Sequence, residues 1–362
     1  ALGRERIVFP RTTDKNGNLV TCSAYWWTTG FFPGMLCLLY NETQDDSLHI
    51  LANKYLSELE PLKYSTVNHD IGWIINSSYG NFYRLYKNEY YGGVIVQAAK
   101  SLTSSRYNPS ARAVRSWDDV DWIKERGWGF PVNIDNMMNL ELLTTAFKIS
   151  KDSSFLRIAI NHADATMWNH FRDDNSSYHL LDYDPVTGEV KKKLTVQGYA
   201  DSSSWARGQA WGLYGFTMMY RETEELRYLE QAQKIAEFIV NHPNLPEDKI
   251  PYWDFDAPDI PNTYRDASAG AIICSALIEL SQFVEEKRSL KYLSVAKQQL
   301  LTLSSPAYQA GLGENACFIL KHGVGALPGG SEVDVPLLYA DYYYVEALIR
   351  LKELLQSGTP PY

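Results

Sequence analysis

The sequence predicts an all-α protein, an (α/α)6 barrel, from the alternation of two types of helical segment. Five segments are amphipathic, with leucine or aromatic residues and an alanine at helical spacing, as expected of helices that cover a core. They are residues 48–52, 94–98, 155–159, 228–232 and 292–296. A more apolar segment precedes each one, at residues 31–40, 71–85, 137–149, 210–220 and 269–283. This alternation is typical of either an open α-solenoid or a closed α/α toroid.

The spacing of the repeat favours the closed barrel. It varies from 46 residues between Ala52 and Ala98 to 73 residues between Ala159 and Ala232, and such insertions suit a barrel with functional loops. A last apolar segment, residues 337–355, brings the predicted helices to eleven. The twelfth, which would be the first helix of the barrel, is either supplied by the N-terminal segment or missing from this chain. Strands are expected only in short hairpins, such as one at residues 184–189.

Composition and charge indicate a single domain over residues 1–362, because no linker or low-complexity block interrupts the chain. The net charge of −9 argues against nucleic acid and anionic membrane as partners. It would also work against an anionic substrate, which would then need a local cationic pocket. The uncharged stretch 16–41 is broken by polar residues, Pro33 and Gly34, so a buried core helix is a better interpretation than a membrane span.

The cysteines and the first residue bear on the compartment. The four cysteines have no C-x-x-C spacing and are interpreted as ordinary buried thiols; they are Cys22, Cys37, Cys274 and Cys317. They neither require nor exclude an oxidising compartment. The chain begins with Ala1 rather than Met, which suggests a removed leader and favours the periplasm over the cytoplasm.

Chemically useful side chains are concentrated where the apolar helices begin. All inner helices of such a barrel run in one direction, so these starts should surround a single mouth. They contain Trp27, His69 with Asp70, Asp135, the segment 205–211, Asp266 and Asp334. Aspartate at a helix start is also an ordinary capping residue. Two aspartates together with Arg207, Trp205 and Trp211 are harder to explain by capping alone, so we expect a catalytic site here.

Two carboxylates facing each other across a mouth lined with Trp suggest glycosidic chemistry. One acid must keep a proton at neutral pH, and apolar surroundings or a nearby like charge raise its pKa. The aromatic segment 127–131 could desolvate Asp135, while His69 could hold Asp70 ionised, but the sequence does not decide which aspartate is protonated. No metal motif and no serine-nucleophile elbow is present, so we expect neither a metal nor a cofactor.

Four motifs carry a resemblance to the unsaturated glucuronyl hydrolases, glycoside hydrolase family 88. They are HDIG at residues 69–72, DNMMNLEL at 135–142, QGYADSSSWARGQAW at 197–211 and EVDVPLLYADYY at 332–343. The resemblance runs from about Phe9 to the C-terminus and implies an (α/α)6 barrel. It also implies a substrate made by a polysaccharide lyase, an oligosaccharide, such as a glycosaminoglycan-type disaccharide, whose terminal uronic acid has a double bond between carbons 4 and 5.

The resemblance further implies hydration rather than direct attack at the anomeric carbon. Asp135 matches the general acid that protonates carbon 4 and then the base that activates water for addition at carbon 5. The resulting hemiketal opens and releases the rest of the sugar. Asp70 matches a second essential carboxylate. The residues that match the surroundings of the substrate are His69, Trp117, His179, Gln197, Trp205, Arg207, Trp211 and His322.

Several alternatives remain open at the level of the sequence. A family 105 type unsaturated rhamnogalacturonyl hydrolase would share the fold and the chemistry but act on a pectin fragment. A non-catalytic helical scaffold or sugar-binding protein belongs to another class altogether.

Arg207 is the natural candidate to offset the substrate carboxylate. Because no Lys or Arg lies between Lys321 and Arg350, we expect unsulfated disaccharides to be preferred over sulfated ones.

Overall fold

The computed structural model describes residues 7–67, 69–118 and 121–357, and α-helices dominate this part of the chain. The helices are α1 (Phe31–Thr43), α2 (Asp46–Leu59), α3 (Ile71–Ile75), α4 (Asn81–Tyr86), α5 (Glu89–Arg106), α6 (Asp121–Glu125), α7 (Leu140–Ser150), α8 (Ser153–Asn169), α9 (Ala206–Thr223), α10 (Leu226–Asn241), α11 (Ala267–Leu280), α12 (Glu286–Leu303) and α13 (Leu338–Gln356). A π-helical turn, Asn76–Gly80, joins α3 to α4, and a 3₁₀ segment, Ile134–Asn139, leads into α7.

These helices form two concentric layers. The inner layer contains α1, the α3–α4 unit, α7, α9, α11 and α13, each packed on the next, and α13 packs on both α11 and α1. Helices α2, α5, α8, α10 and α12 cover the inner layer from outside. Because α13 returns to α1, the ring is closed, which confirms the predicted (α/α)6 barrel and excludes the open solenoid.

The difference between the layers follows from their sequences. Every residue of α11 is buried, and α9 is buried from Ala206 to Met219, because both helices have neighbours on all sides. The outer helix α10 buries only one face, which includes Tyr228, Ala232 and Ile235. One hydrophobic cluster includes residues of every long helix of both layers. A single domain over residues 1–362 is consistent with this core and stays a prediction.

Strands are short and antiparallel, as expected, but in the described part of the chain they form one three-stranded sheet in addition to hairpins, because residues 130–133 pair with the distant residues 180–183. The strands are β1 (Phe9–Thr13), β2 (Leu19–Cys22), β3 (Tyr107–Asn108), β4 (Ala113–Val114), β5 (Phe130–Asn133), β6 (Leu180–Tyr183), β7 (Val190–Leu194), β8 (Gly323–Ala326) and β9 (Ser331–Val335). The predicted turn at residues 184–189 joins β6 to β7, and the amide of Asp184 donates to the carbonyl of Glu189 over 2.8 Å. The β1–β2 hairpin occupies the N-terminal segment, so residues 9–22 do not supply the twelfth helix; residues 1–6 lie outside the described part.

Two further expectations can be compared with the structure. Cys37 and Cys274 are buried, but Cys22 is half-buried and Cys317 is exposed, so the interpretation of all four as buried thiols was wrong. Cys317 lies in a short irregular turn with a positive φ rather than in a core helix. In the described part of the chain, none of the helices has the length and apolar character of a bilayer span.

Ion pairs fill the barrel toward the C-terminal ends of the inner helices. The guanidinium of Arg221 on α9 lies 2.6 Å from Glu141 and 2.6 Å from Glu279. Arg350 on α13 lies 2.8 Å from Glu279, and Arg84 on α4 lies 3.3 Å from Glu141. We call this group of five residues the floor network. Nearby arginines hold the pKa values of Glu141 and Glu279 below the usual range despite burial, so both remain ionised.

The inner helices pack closely enough to require glycine. A Cβ on Gly34 of α1 would lie 2.1 Å from the carbonyl oxygen of Ser77, which is backbone and cannot move aside easily. We therefore expect Gly34→Ala to lower the free energy of unfolding by about 1–3 kcal/mol. Gly93 on α5 is the matched control, because nothing lies within 4 Å of its added Cβ. Gly93→Ala should gain about 0.5–1 kcal/mol in the same urea titration. Equal midpoints for both variants would contradict this packing argument.

Candidate active site

A cavity of about 160 Å³ opens at the end of the barrel where the inner helices begin. Its wall combines two aspartates, two arginines and a set of aromatic rings. The lining residues are Arg11, Trp26, Trp27, His69, Asp70, Trp73, Trp117, Asp135, Gln197, Trp205, Arg207, Trp211, Gly325, Ala326, Ser331, Glu332 and Tyr339. Most of the helix starts identified in the sequence therefore meet at one mouth, although Asp266 and Asp334 do not line the cavity.

Neither of the two aspartates in the cavity is explained by helix capping. Asp70 precedes α3 but makes no side-chain cap hydrogen bond. Asp135 lies in the 3₁₀ segment before α7, and its Oδ1 is buried with no hydrogen-bond partner among the described residues. Asp266 behaves differently, because its carboxylate caps α11 by accepting the amide of Ser268 over 3.0 Å. The capping interpretation thus applies to Asp266, whereas Asp70 and Asp135 line the cavity.

A network of buried amides fixes the two aspartate segments relative to each other. The Oδ1 of Asn139 accepts the backbone amide of Trp73, three residues after Asp70 in the chain, over 3.1 Å. The side chain of Asn139 also donates to Asn136 over 2.7 Å, immediately beside Asp135. Gly72 allows this close approach, since a Cβ there would lie 2.3 Å from Asn139 Oδ1. The position of one carboxylate is therefore tied to that of the other.

The pKa values of both aspartates are raised in this environment. Burial, followed by the negative charge of Asp135, raises the pKa of Asp70 to about 8, and Arg106 opposes the shift. Burial raises the pKa of Asp135 to about 6, against the opposing effects of Arg207 and Asn133. Both carboxyls lose hydration, and two like charges in one cavity disfavour double ionisation. The pair therefore holds one proton near neutral pH.

The structure differs from the sequence-based expectation for His69. Its Nε2 lies 3.1 Å from Asp70 Oδ1, so the two residues are indeed adjacent. Burial and the nearby Arg106 lower the pKa of His69 well below its usual value, so the imidazole is neutral. A neutral ring cannot hold Asp70 ionised by its charge. Its contribution at this distance is a polar contact that orients the carboxyl group.

Arg207 lines the cavity, but its guanidinium already has partners. It forms a buried ion pair with Asp266 over 3.2 Å and donates to the carbonyls of Val324 and Gly325. It also lies 3.3 Å from the Oε1 of Gln197, another predicted site residue. Its charge is largely compensated by Asp266, so it stabilises anions in the cavity less than an unpaired arginine would.

Aromatic rings form a large part of the wall, including the predicted Trp117, Trp205 and Trp211. Trp73 continues this wall, with its ring centroid 5.0 Å from that of Trp211 and 5.1 Å from that of Trp27. Flat apolar faces of this kind can stack against sugar rings and exclude water from the carboxylates.

Two predicted site residues do not line the cavity. His179 lies behind the wall, where its ring packs 4.7 Å from Trp205 and 6.0 Å from Trp117. Its Nδ1 accepts the amide of Gln197 over 3.1 Å, which leaves the buried Nε2 without a partner in the described part of the chain. His322 is 44% exposed and contacts Asp334 over 2.6 Å outside the cavity. A role for either residue in substrate contact stays a prediction.

Sequence reasoning missed several residues of the wall. Glu332 and Tyr339 lie inside the motif at residues 332–343, and Trp73 directly follows the motif at 69–72, so neighbouring positions contained a usable signal. Trp26 likewise adjoins Trp27, which was placed at the mouth, but no sequence signal indicated Arg11. Arg11 reaches the cavity because the N-terminal hairpin packs against α13 and β9, a contact between distant parts of the chain.

Comparison with known proteins gives a consistent result. The model of Glycosyl Hydrolase Family 88 matches residues 6–352. An unsaturated glucuronyl hydrolase of Formosa agariphila is 44% identical over 91% of this chain and 80% of its own length. An unsaturated chondroitin disaccharide hydrolase of Streptococcus agalactiae is 33% identical over 90% of this chain and 81% of its own. A solved unsaturated glucuronyl hydrolase described as specific for heparin superposes with a TM-score of 0.92 at 45% identity, covering 96% of this chain and 92% of that one.

Proposed function

The chain belongs to glycoside hydrolase family 88, and on that basis we propose that it hydrolyses oligosaccharides ending in a 4,5-unsaturated uronic acid, with Asp135 as general acid and base. The matched family is not the family 105 type that the sequence had left open. Relatives named for glucuronyl and chondroitin substrates favour glycosaminoglycan-type disaccharides.

One observation carries the assignment of roles: two carboxyls with raised pKa values share a cavity, and one oxygen of Asp135 has no partner among the described residues. An unpartnered buried carboxyl oxygen is costly unless a ligand completes it. A substrate in this cavity can receive a proton from that oxygen. Asp70 lines the same cavity, so we place it in contact with substrate as well.

The reaction then balances as a hydration followed by an elimination. Asp135 donates its proton to carbon 4, and positive charge develops at carbon 5 and the ring oxygen. Water adds to carbon 5 and returns one proton to Asp135. The hemiketal at carbon 5 opens to a ketone, which leaves a hemiacetal at carbon 1 that expels the remaining sugar as an alcohol. No separate nucleophile is needed. In the state in which the shared proton lies on Asp135, Asp70 is ionised and stabilises the developing positive charge.

The ultraviolet chromophore of the substrate tests this proposal. Hydration destroys the conjugated double bond, so absorbance should be lost in step with release of the second sugar from lyase-generated disaccharides. An ordinary glycosidase would release the unsaturated sugar with its chromophore intact, and that outcome would exclude the hydration route. Binding of saturated and unsaturated disaccharides alike, with no turnover of either, would favour the alternative of a non-catalytic sugar-binding protein.

The shared proton predicts a bell-shaped dependence of kcat/KM on pH. Activity should fall as the pH rises through about 8, because the pair loses its last proton, and as it falls through about 6, because the second carboxylate is neutralised. In Asp70→Asn, Asp135 is the member of the aspartate pair that still titrates. The residual activity of that variant should show a single limb that falls as the pH rises through about 6. A wild-type profile that stays flat from pH 5 to 9 would be inconsistent with a proton shared by this pair.

A further inference from the structure

We propose that Arg11, a residue of the N-terminal hairpin, is a specificity determinant that binds an oxyanion substituent of the sugar substrate. The inference rests on the proposed function and extends it to a recognition element outside the motifs of the family. Arg11 lines the same cavity as Asp70 and Asp135, although it lies far from both in sequence.

Two backbone irregularities place Arg11 and its partner Glu332 in the cavity. The register of β1 with β2 shifts between Pro10 and Thr12, so Arg11 is the extra residue of a bulge. Bulges re-aim side chains beside functional sites. Glu332 on β9 has a φ of +54°, a conformation that is uncommon for residues other than glycine. Its side chain passes across Gly325, where a Cβ would lie 2.6 Å from the carboxylate. Both strands thus depart from regular geometry at the residues that meet.

Packing orients the guanidinium of Arg11 before any ligand arrives. Its Cζ lies 3.8 Å from the ring centroid of Trp26, and its Nε donates to Glu332 over 2.6 Å. Stacking on the ring and this hydrogen bond together fix the plane of the guanidinium group. The two Nη groups donate no hydrogen bond within residues 7–67, 69–118 and 121–357. The side chain remains 23% exposed, so the end of the fork is accessible to a ligand in the cavity.

Comparison with the other cation of the cavity favours Arg11 as the anion-binding group. Arg207 is 3% exposed and is bonded to Asp266 and two carbonyls. Arg11 donates to its carboxylate partner, Glu332, through Nε only. The Nη groups of an arginine can donate hydrogen bonds to a second oxyanion. The prediction that unsulfated substrates are preferred rests on the absence of Lys and Arg between Lys321 and Arg350. Arg11 reaches the cavity from outside that segment.

The shared chemistry of the ligand is a planar or tetrahedral oxyanion, and the substrate offers two sources. One is the carboxylate of the unsaturated uronate, which every substrate has. The other is an ester sulfate on either sugar, which only some substrates have. Charge-assisted hydrogen bonds contribute enough that losing one should lower kcat/KM by about tenfold to 100-fold.

Arg11→Gln, assayed on matched disaccharides, distinguishes these sources. The panel contains an unsulfated disaccharide, its sulfated twins and the unsulfated compound with its uronate as the methyl ester. If Arg11 binds sulfate, the variant loses about tenfold or more in kcat/KM on a sulfated substrate only. If it binds the carboxylate, the loss is equal on sulfated and unsulfated acids and disappears on the ester. Arg11→Lys should restore part of the loss, because it keeps the charge without the fork.

Arg112→Gln is the matched control. Arg112 also stacks on a tryptophan, with its Cζ 5.3 Å from the ring of Trp168, and faces Asp164 at 3.7 Å, but it does not line the cavity. Removing it changes the net charge equally and should leave every kcat/KM within twofold of the wild type. The inference is overturned if Arg11→Gln matches this control on all substrates, or if it loses activity equally on acids and ester, which would indicate a structural role only. Failure of the wild type to turn over any member of the panel would instead contradict the proposed function.

Discussion

Replacement of Asp135 by Asn is expected to lower kcat by about 10²–10⁴-fold, the range typical of losing a general acid–base group. The amide keeps the size and polarity of the carboxyl but cannot donate a proton to carbon 4 or accept one from water. Disaccharide binding should survive, because Asn can still form hydrogen bonds. Stopped-flow or steady-state loss of the unsaturated chromophore, together with calorimetric binding, measures both quantities. Near-normal turnover in Asp135→Asn would show that the proton comes from another residue.

Asp341 provides a matched control for that experiment. Burial raises its pKa to about 7, as burial does for Asp135, but its carboxylate accepts the backbone amides of Ile319 and Leu320 and does not line the cavity. Asp341→Asn should lose stability because its amide nitrogen cannot accept a hydrogen bond from a backbone amide. Its kcat per folded molecule should stay close to that of the wild type. That result would show that a carboxyl group with a raised pKa does not contribute to catalysis when it lies outside the cavity.

The largest effect on stability is expected in the floor network. Arg350→Met should lower the free energy of unfolding by about 3–5 kcal/mol, because removing one partner leaves buried charge uncompensated. Arg350 lies 2.8 Å from Glu279 and donates to the carbonyl of Ser275 and the hydroxyl of Tyr214, each over 2.9 Å. Methionine fills much of the same volume, so the decrease in the free energy of unfolding comes from the lost charge rather than from a cavity. Urea unfolding followed by circular dichroism measures the change.

Arg288→Met is the corresponding surface control. Arg288 is 50% exposed and lies 3.5 Å from Glu285 one helical turn away, a solvated pair of the kind that contributes about 0–1 kcal/mol. If both variants unfold at the same urea concentration, the floor network contributes no more than a surface ion pair. A second substitution, Glu279→Gln in the Arg350→Met background, should recover part of the loss, because it removes a negative charge that Arg350 had helped to offset.

Patterns that depend on local sequence were predictable, and those that depend on distant contacts were not. The apolar runs that become α9 and α11 are buried on all sides, which is why their composition already indicated an inner layer. The same reasoning placed Asp70 and Asp135 at one mouth. The same reasoning could not place Arg11, because the bulge in β1 brings its side chain to the cavity only when the hairpin packs against β9.

The electrostatics of the site were predicted only in part. That one carboxyl of the pair would have a raised pKa followed from the surroundings of the pair, whereas the raised pKa of Asp70 was not expected. That His69 would be neutral depends on burial and on Arg106, a residue of α5 that no motif connects with His69. The pairing of Arg207 with Asp266 likewise joins the starts of two helices 59 residues apart, a distance that spacing along the chain does not reveal.

The common direction of the inner helices has a consequence for an acidic protein with an anionic substrate. Each helix carries a dipole equivalent to about half a positive charge at its N-terminus. Helix α9 begins at the cavity, which is lined by Arg207 of its first turn, so its positive end lies there although the chain carries a net charge of −9. The positive end of α9 therefore adds to the contribution of the basic side chains of Arg11 and Arg207 in attracting an anionic substrate to an acidic protein.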